Sequence, residues 1–182
     1  MELPLSPSLS PIPVPPSRWA LRPATAADRE CLLSVYASTR ADELAQVPWD
    51  AATREAFVRQ QFAAQEAHYT AHHPQSQVQL IVDESDTPPR GIGRLWTDRR
   101  AGALHVLDIS LLAAARGRGV GTQCLLALRD EAHARGVPLT IYVEIHNPAR
   151  RLYERLGFTA SGEPQGLYVH MACPPVPALL CA

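Results

Sequence analysis

The sequence predicts a single α/β domain in which a sheet built largely from hairpins is flanked by helices. Three observations predict it. At 182 residues, with 46% hydrophobic and 19% charged, the chain is long enough to bury one core of its own. Residues 78–83, 91–97 and 104–112 are apolar strand-like runs separated by short polar turns, the pattern of consecutive hairpins. Between the last of these and a helical run at 122–135 stands Arg116-Gly117-Arg118-Gly119-Val120-Gly121, a glycine-rich turn from strand to helix.

Each element has a local cause. Residues 19–22 form a short first strand, and Thr25 with Asp28 has the spacing of a capping box that opens a helix. Leu32, Leu33, Val35, Tyr36 and Leu44 are its apolar stripe, and Pro48 ends it. Asp50 caps a second helix, in which Phe57, Val58, Phe62 and Ala63 recur at helical spacing as far as His72-His73-Pro74. Asp86-Thr87-Pro88-Pro89 turns the first hairpin, and the second turn lies within 98–103. In the third helix Cys124, Leu125, Leu128 and Ala132 face inward, with Gly136 just past its end. A strand then runs from 139 into Asn147, a short helix follows, and 158–160 and 167–172 supply two last strands. Residues 1–17 hold six prolines and no basic residue, which excludes a Sec-type signal peptide and predicts a disordered tail; Pro174-Pro175-Val176-Pro177 opens a second tail, 174–182. The domain is expected over 18–173.

Composition excludes several function classes. Seventeen basic and 18 acidic residues give a net charge of −1, which argues against partnership with nucleic acid or an anionic membrane. No apolar run is long enough to span a bilayer. Cys31, Cys124, Cys173 and Cys181 show no C-x-x-C spacing, so a cytoplasmic protein with reduced thiols is expected. His68 and His72 have an i, i+4 spacing but no evident third ligand, and no metal is expected.

The glycine turn carries the chemistry. It leaves the first amides of a helix unpaired, where their dipoles favour an anion such as phosphate. All 17 basic residues are arginine, so the lysine of a P-loop is missing, and the next glycine after Gly121 is Gly136, so the dinucleotide fingerprint is unmet. What remains is R-x-x-G-x-G from Arg116 to Gly121. This resembles the coenzyme A pyrophosphate turn of the GNAT family of N-acetyltransferases. A second stretch supports the likeness: a strand ending at Asn147, then Ala149, Leu152, Tyr153, Leu156, Gly157 and Phe158 in the family's A-x-x-L-Y-x-x-L-G-F order.

The resemblance implies a mostly antiparallel sheet in which the strands on either side of the turn run parallel and splay to admit acetyl-CoA as cosubstrate. Pyrophosphate would rest on the amides of Arg118, Gly119, Val120, Gly121 and Thr122, helped by Gly117 and by the side chains of Arg116 and Arg118, although surface charge explains the arginines too. Leu111, Leu112, Ala113, Asn147 and Ala149 complete the implied coenzyme set. The amides of Leu111 and Ala113 match the place of the thioester carbonyl, where a preorganised donor lowers the barrier most. Tyr153 matches the family's general acid for the departing thiolate, or else is a core aromatic.

An attacking amine must lose a proton, so a carboxylate base acting directly or through water is expected. Asp108 and Glu144 each interrupt an apolar strand, and each either serves as that base or pairs with an arginine such as Arg94. Glu43, Trp49 and Tyr168 are candidates for the acceptor pocket. The function expected is transfer of acetyl to a primary amine of a small molecule or peptide; a non-catalytic acyl-CoA sensor of the same fold is the alternative, and a homodimer is compatible with either.

Overall fold

Residues 18–175 are described by a computed structural model. The expected tail at 1–17, all of the second beyond Pro175, and Cys181 lie outside the described residues. The first strand, β1 (Trp19–Pro23), leads through a short 3-10 turn to α1 (Arg29–Ala45). That turn is closed by Asp28, whose carboxylate accepts from the Thr25 amide and hydroxyl and from Arg22. These bonds hold the Asp28 carboxyl far below its ordinary range. Asp50 accepts from the Thr53 amide at 2.7 Å and opens α2 (Ala51–His72).

Three strands follow, β2 (Gln77–Asp83), β3 (Arg90–Arg99) and β4 (Leu104–Leu111), each antiparallel to the one before. The chain then passes through the glycine turn into α3 (Val120–Ala134), β5 (Leu139–Glu144), α4 (Arg150–Arg155), β6 (Thr159–Ala160) and β7 (Tyr168–Cys173). The seven strands form one sheet in the order β1-β2-β3-β4-β5-β7-β6, in which only β4 and β5 are parallel.

Alternation along the strands divides the apolar residues between two faces. Leu80 and Val82 join Leu33, Tyr36, Val58 and Phe62 beneath α1 and α2. Ile81, between them, joins Leu95, Leu104, Val106, Leu125, Leu128 and Tyr153 on the face covered by α3 and α4. Among the described residues no helix is long and apolar enough to cross a membrane, and Cys31, Cys124 and Cys173 are free thiols.

Strand β5 ends at Glu144, three residues short of the expected Asn147, and two other boundaries differ for a local reason. The third helix starts at Val120, two residues early, because Val120 is buried in the core and its packing outweighs the poor helical propensity of Gly121. Strand β3 runs on to Arg99 because Asp98, only 2% exposed, is neutralised by Arg100 at 2.6 Å and hydrogen-bonded to His73 at 2.8 Å.

Candidate active site

The parallel pair is short. β4 and β5 are in register only from Leu104 to Val106 against Leu139 to Ile141; beyond that they diverge, and each presents an unpaired edge. The gap opens into a cleft of about 1030 Å³ lined by β4, the glycine turn, the first turn of α3, β5, α4, and parts of α1, α2 and β7.

Hydrogen bonding decides which groups that edge offers. The Leu112 amide donates to the Ile92 carbonyl at 2.9 Å, so strand alternation turns the amides of Leu111 and Ile109 away from β3 and toward the cleft. Two carbonyls on the same edge already have donors: the Tyr69 hydroxyl donates to Leu107 O at 3.0 Å, and Arg116 Nε to Leu111 O at 3.0 Å. Beside the carbonyl of Ile109 the edge offers the amides of Ile109 and Leu111, and such donors suit an oxygen that gains negative charge.

At the turn, Gly117 and Gly119 have φ of +71° and +83°. The first intrahelical bond of α3 runs from the Gln123 amide to Gly119 O, which leaves the amides of Val120, Gly121 and Thr122 without intrahelical partners, and no side chain caps them. Their dipoles converge on the cleft.

The arginines of the turn are placed differently from each other. Arg116 ties the turn to α1: its Nη2 donates to Ser38 O at 2.8 Å and to Ser38 Oγ at 3.1 Å, and the Ala113 amide donates to the same hydroxyl at 3.1 Å. Arg118 does not line the cleft; its guanidinium lies 3.8 Å from Asp83. Of the expected coenzyme set, Leu111, Arg116, Gly117, Gly119, Val120, Gly121, Thr122, Asn147, Ala149 and Tyr153 line the cleft, whereas Leu112, Ala113 and Arg118 do not. Asn147 Oδ1 accepts from the Ala149 amide at 2.9 Å, which leaves the Asn147 side-chain NH₂ free to donate.

Tyr153 is both a core residue and a cleft residue. It is 5% exposed and packs on Phe158 with ring centroids 5.8 Å apart. Burial, reinforced by the Asp108 charge, pushes its phenol up to about 12. Asp108 accepts from Arg94 Nε at 2.8 Å and from Ser110 Oγ at 3.0 Å. Arg94 is itself 1% exposed, donates to Gln65, and lies 5.6 to 6.0 Å from the rings of Phe62, Trp96 and Tyr36. Replacing Arg94 by methionine is expected to lower the unfolding free energy by about 3 kcal/mol, because the bonds of a fully buried guanidinium are lost and Asp108, 17% exposed on the cleft wall, keeps its charge without a partner. Urea unfolding checks this, and a loss below about 1 kcal/mol would mean that Asp108 is solvated like a surface group.

Glu144 is exposed at the end of β5, opposite Tyr168, whose hydroxyl donates to it at 3.4 Å. Glu43 and Trp49 do not line the cleft. Glu43 pairs with Arg40, and Trp49 packs edge-on against Phe57. In their place α1 contributes Tyr36, Thr39, Arg40 and Asp42, and α2 contributes Gln65 and Tyr69. The signal for these was in the sequence: Tyr36, Thr39 and Arg40 have i, i+3, i+4 spacing, as Gln65 and Tyr69 have i, i+4, and each set shares one helix face. Among the described residues no group of three or more His, Cys, Asp or Glu is placed to hold a metal.

A family model for the acetyltransferase (GNAT) domain matches residues 36–168, most of the chain and all of the cleft's elements. The chain belongs to the GNAT family of acetyltransferases. Solved structures show the same GNAT fold. The PaiA N-acetyltransferase of Thermoplasma acidophilum, solved in complex with coenzyme A, has a TM-score of 0.65 at 16% identity over 86% of this chain and 98% of its own. An acetyltransferase of Thermus thermophilus has a TM-score of 0.60 at 21% identity, covering 86% and 96%. The ribosomal-protein-S18-alanine N-acetyltransferase of Escherichia coli has a TM-score of 0.57 at 19% identity, covering 90% and 98%. No curated protein matches this GNAT sequence.

Proposed function

We propose that this GNAT protein transfers the acetyl group of acetyl-CoA directly to a primary amine, without a covalent enzyme intermediate, in a reducing cytoplasm. The observation that carries the reading is one cleft in which the bare amides of α3, the outward amide of Leu111 and the buried phenol of Tyr153 all meet. The amides of Val120, Gly121 and Thr122 take the pyrophosphate of the cosubstrate, with Arg116 at their side. The Leu111 amide faces the thioester oxygen as the amine nitrogen bonds to the acetyl carbon and the C–S bond breaks.

Two pKa values support a hydrogen-bonding role for Tyr153. A thiol near 8.5 and a phenol pushed up to about 12 are badly matched for full proton transfer, which would run uphill. Tyr153 therefore acts by donating a hydrogen bond to the departing sulfur. The proton that sulfur finally acquires is supplied by the attacking amine, relayed through Glu144 or water. Glu144 is the better base of the two candidates, because Asp108 is held by Arg94 and Ser110.

The test is a panel of primary amines with acetyl-CoA, followed by release of free thiol. Turnover of at least one amine is expected, together with a thermal shift by acetyl-CoA that ATP and NAD do not give; about 100 Kd of a true ligand adds about 2.7 kcal/mol. Binding without thiol release for any amine would instead assign a non-catalytic acyl-CoA sensor.

A further inference from the structure

Three aliphatic hydroxyls lie on α1, and two of them are engaged within the helix. Ser34 donates to Glu30 O at 2.9 Å and Thr39 to Tyr36 O at 2.7 Å, the local bonds that such residues ordinarily make in a helix. Ser38 differs. It reaches across to the turn between β4 and α3, where its Oγ accepts from the Ala113 amide and from Arg116 Nη2, both at 3.1 Å, and its carbonyl accepts from Nη2 at 2.8 Å. Arg116 Nε is engaged as well, on Leu111 O at 3.0 Å. One edge of the guanidinium is therefore fastened to protein.

The opposite edge is not. Nη1 makes no hydrogen bond among the described residues, and no carboxylate there pairs with Arg116. The other arginines of the cleft and the turn contrast with it: Arg40 meets Glu43 at 3.1 Å, Arg118 lies 3.8 Å from Asp83, and Arg155 has neither a carboxylate nor a hydrogen bond to hold it among those residues. Arg116 alone joins an unpaired charge to a fixed geometry. A long cationic side chain left to itself samples many rotamers, and a ligand that orders it loses affinity to that lost freedom. Three hydrogen bonds order Arg116 beforehand. Nη1, with two N–H donors and an uncancelled charge, is what Arg116 still offers a cleft that it lines together with the bare amides of Val120, Gly121 and Thr122.

We infer that Ser38 is a positioning residue for coenzyme binding, holding Arg116 against α1 so that its free Nη1 meets the pyrophosphate at the start of α3. This rests on the acetyl-transfer reading above and adds to it a residue from a different helix, 78 positions before Arg116. Ser38 touches no substrate itself. Its effect passes through the guanidinium, which distinguishes it from a prop that supports the turn through the Ala113 amide alone.

Titration calorimetry of the full chain with acetyl-CoA, in a double-mutant cycle of Ser38→Ala and Arg116→Met, tests this. Ser38→Ala is expected to weaken binding about tenfold and Arg116→Met about thirtyfold, because the guanidinium then meets the pyrophosphate unordered or not at all. In the Arg116→Met background Ser38→Ala is expected to weaken it less than about twofold, since the side chain it would aim is gone. The loss on Ser38→Ala is expected to be the same for 3′-dephospho-CoA, which keeps the pyrophosphate. An equal loss in both backgrounds overturns the inference, because Ser38 would then act through Ala113 alone, and so does a loss confined to ligands that carry the 3′-phosphate. Unchanged affinity on either single substitution overturns it too, while acetyl transfer stands. Failure of the unaltered chain to bind acetyl-CoA overturns both.

Discussion

Tyr153→Phe is expected to lower kcat about 10²-fold while acetyl-CoA binds as before. The substitution removes one hydrogen bond to a charged sulfur, worth about 1.5–3 kcal/mol, and keeps the ring that packs on Phe158. The pH profile separates a hydrogen-bond donor from a true general acid. A group that gives up its proton near neutrality imposes a falling alkaline limb on kcat at its own pKa. Tyr153, pushed up to about 12 by burial and then by Asp108, stays protonated across the whole working range. Wild type is therefore expected to show no alkaline fall attributable to Tyr153 below about pH 11, and the phenylalanine variant a profile of the same shape at lower height. An unchanged kcat would remove Tyr153 from the reaction. A wild-type alkaline limb absent from the variant would make it a proton donor instead.

The second large effect belongs to Gly119. Gly119 and Gly136 bracket α3, with φ of +83° and +66°, and a Cβ at either would meet no protein atom closer than 4.0 Å. Alanine at either site costs the same kind of backbone strain, about 1 kcal/mol, and nothing in steric clash within the protein itself. Only Gly119 lines the cleft. Gly136→Ala is thus expected to lower stability by about 1 kcal/mol and leave acetyl-CoA affinity alone. Gly119→Ala should lose the same stability and at least about tenfold in affinity, because its Cβ projects where the pyrophosphate approaches the helix amides. Urea unfolding and titration calorimetry on the two variants give both quantities. Equal affinities would mean that the coenzyme does not use this turn.

The elements of the GNAT fold were legible because their causes are local. The stripe of Leu32, Leu33, Val35 and Tyr36, the Asp50 cap, and the hairpin turns each act within a few residues, and α1, α2 and β2 lie where those signals put them. The coenzyme end was legible for the same reason: turn and helix start are consecutive in the chain, so Gly117, Gly119 and the following amides could be read in order. The acceptor end was not. Glu43 and Trp49 were expected there on the ground that they lie between two helices, yet the face of α1 that reaches the cleft carries Tyr36, Thr39, Arg40 and Asp42.

Side-chain commitments were decided only by the tertiary structure. The sequence left Asp108 open between base and ion-pair partner; the structure shows the ion pair, with Arg94, one strand away, buried and its Nε 2.8 Å from that carboxylate. It also turned Arg116 onto Ser38, 78 residues distant, and Arg118 toward Asp83. The chain by itself determined its secondary structure, its family and the turn that bares the first amides of α3, since those depend on the dihedral preferences and order of neighbouring residues. Which charges are already paired, which amides of a strand edge face inward and which helix face walls the acceptor depend on contacts between distant segments, and only the folded sheet brings those within hydrogen-bonding range.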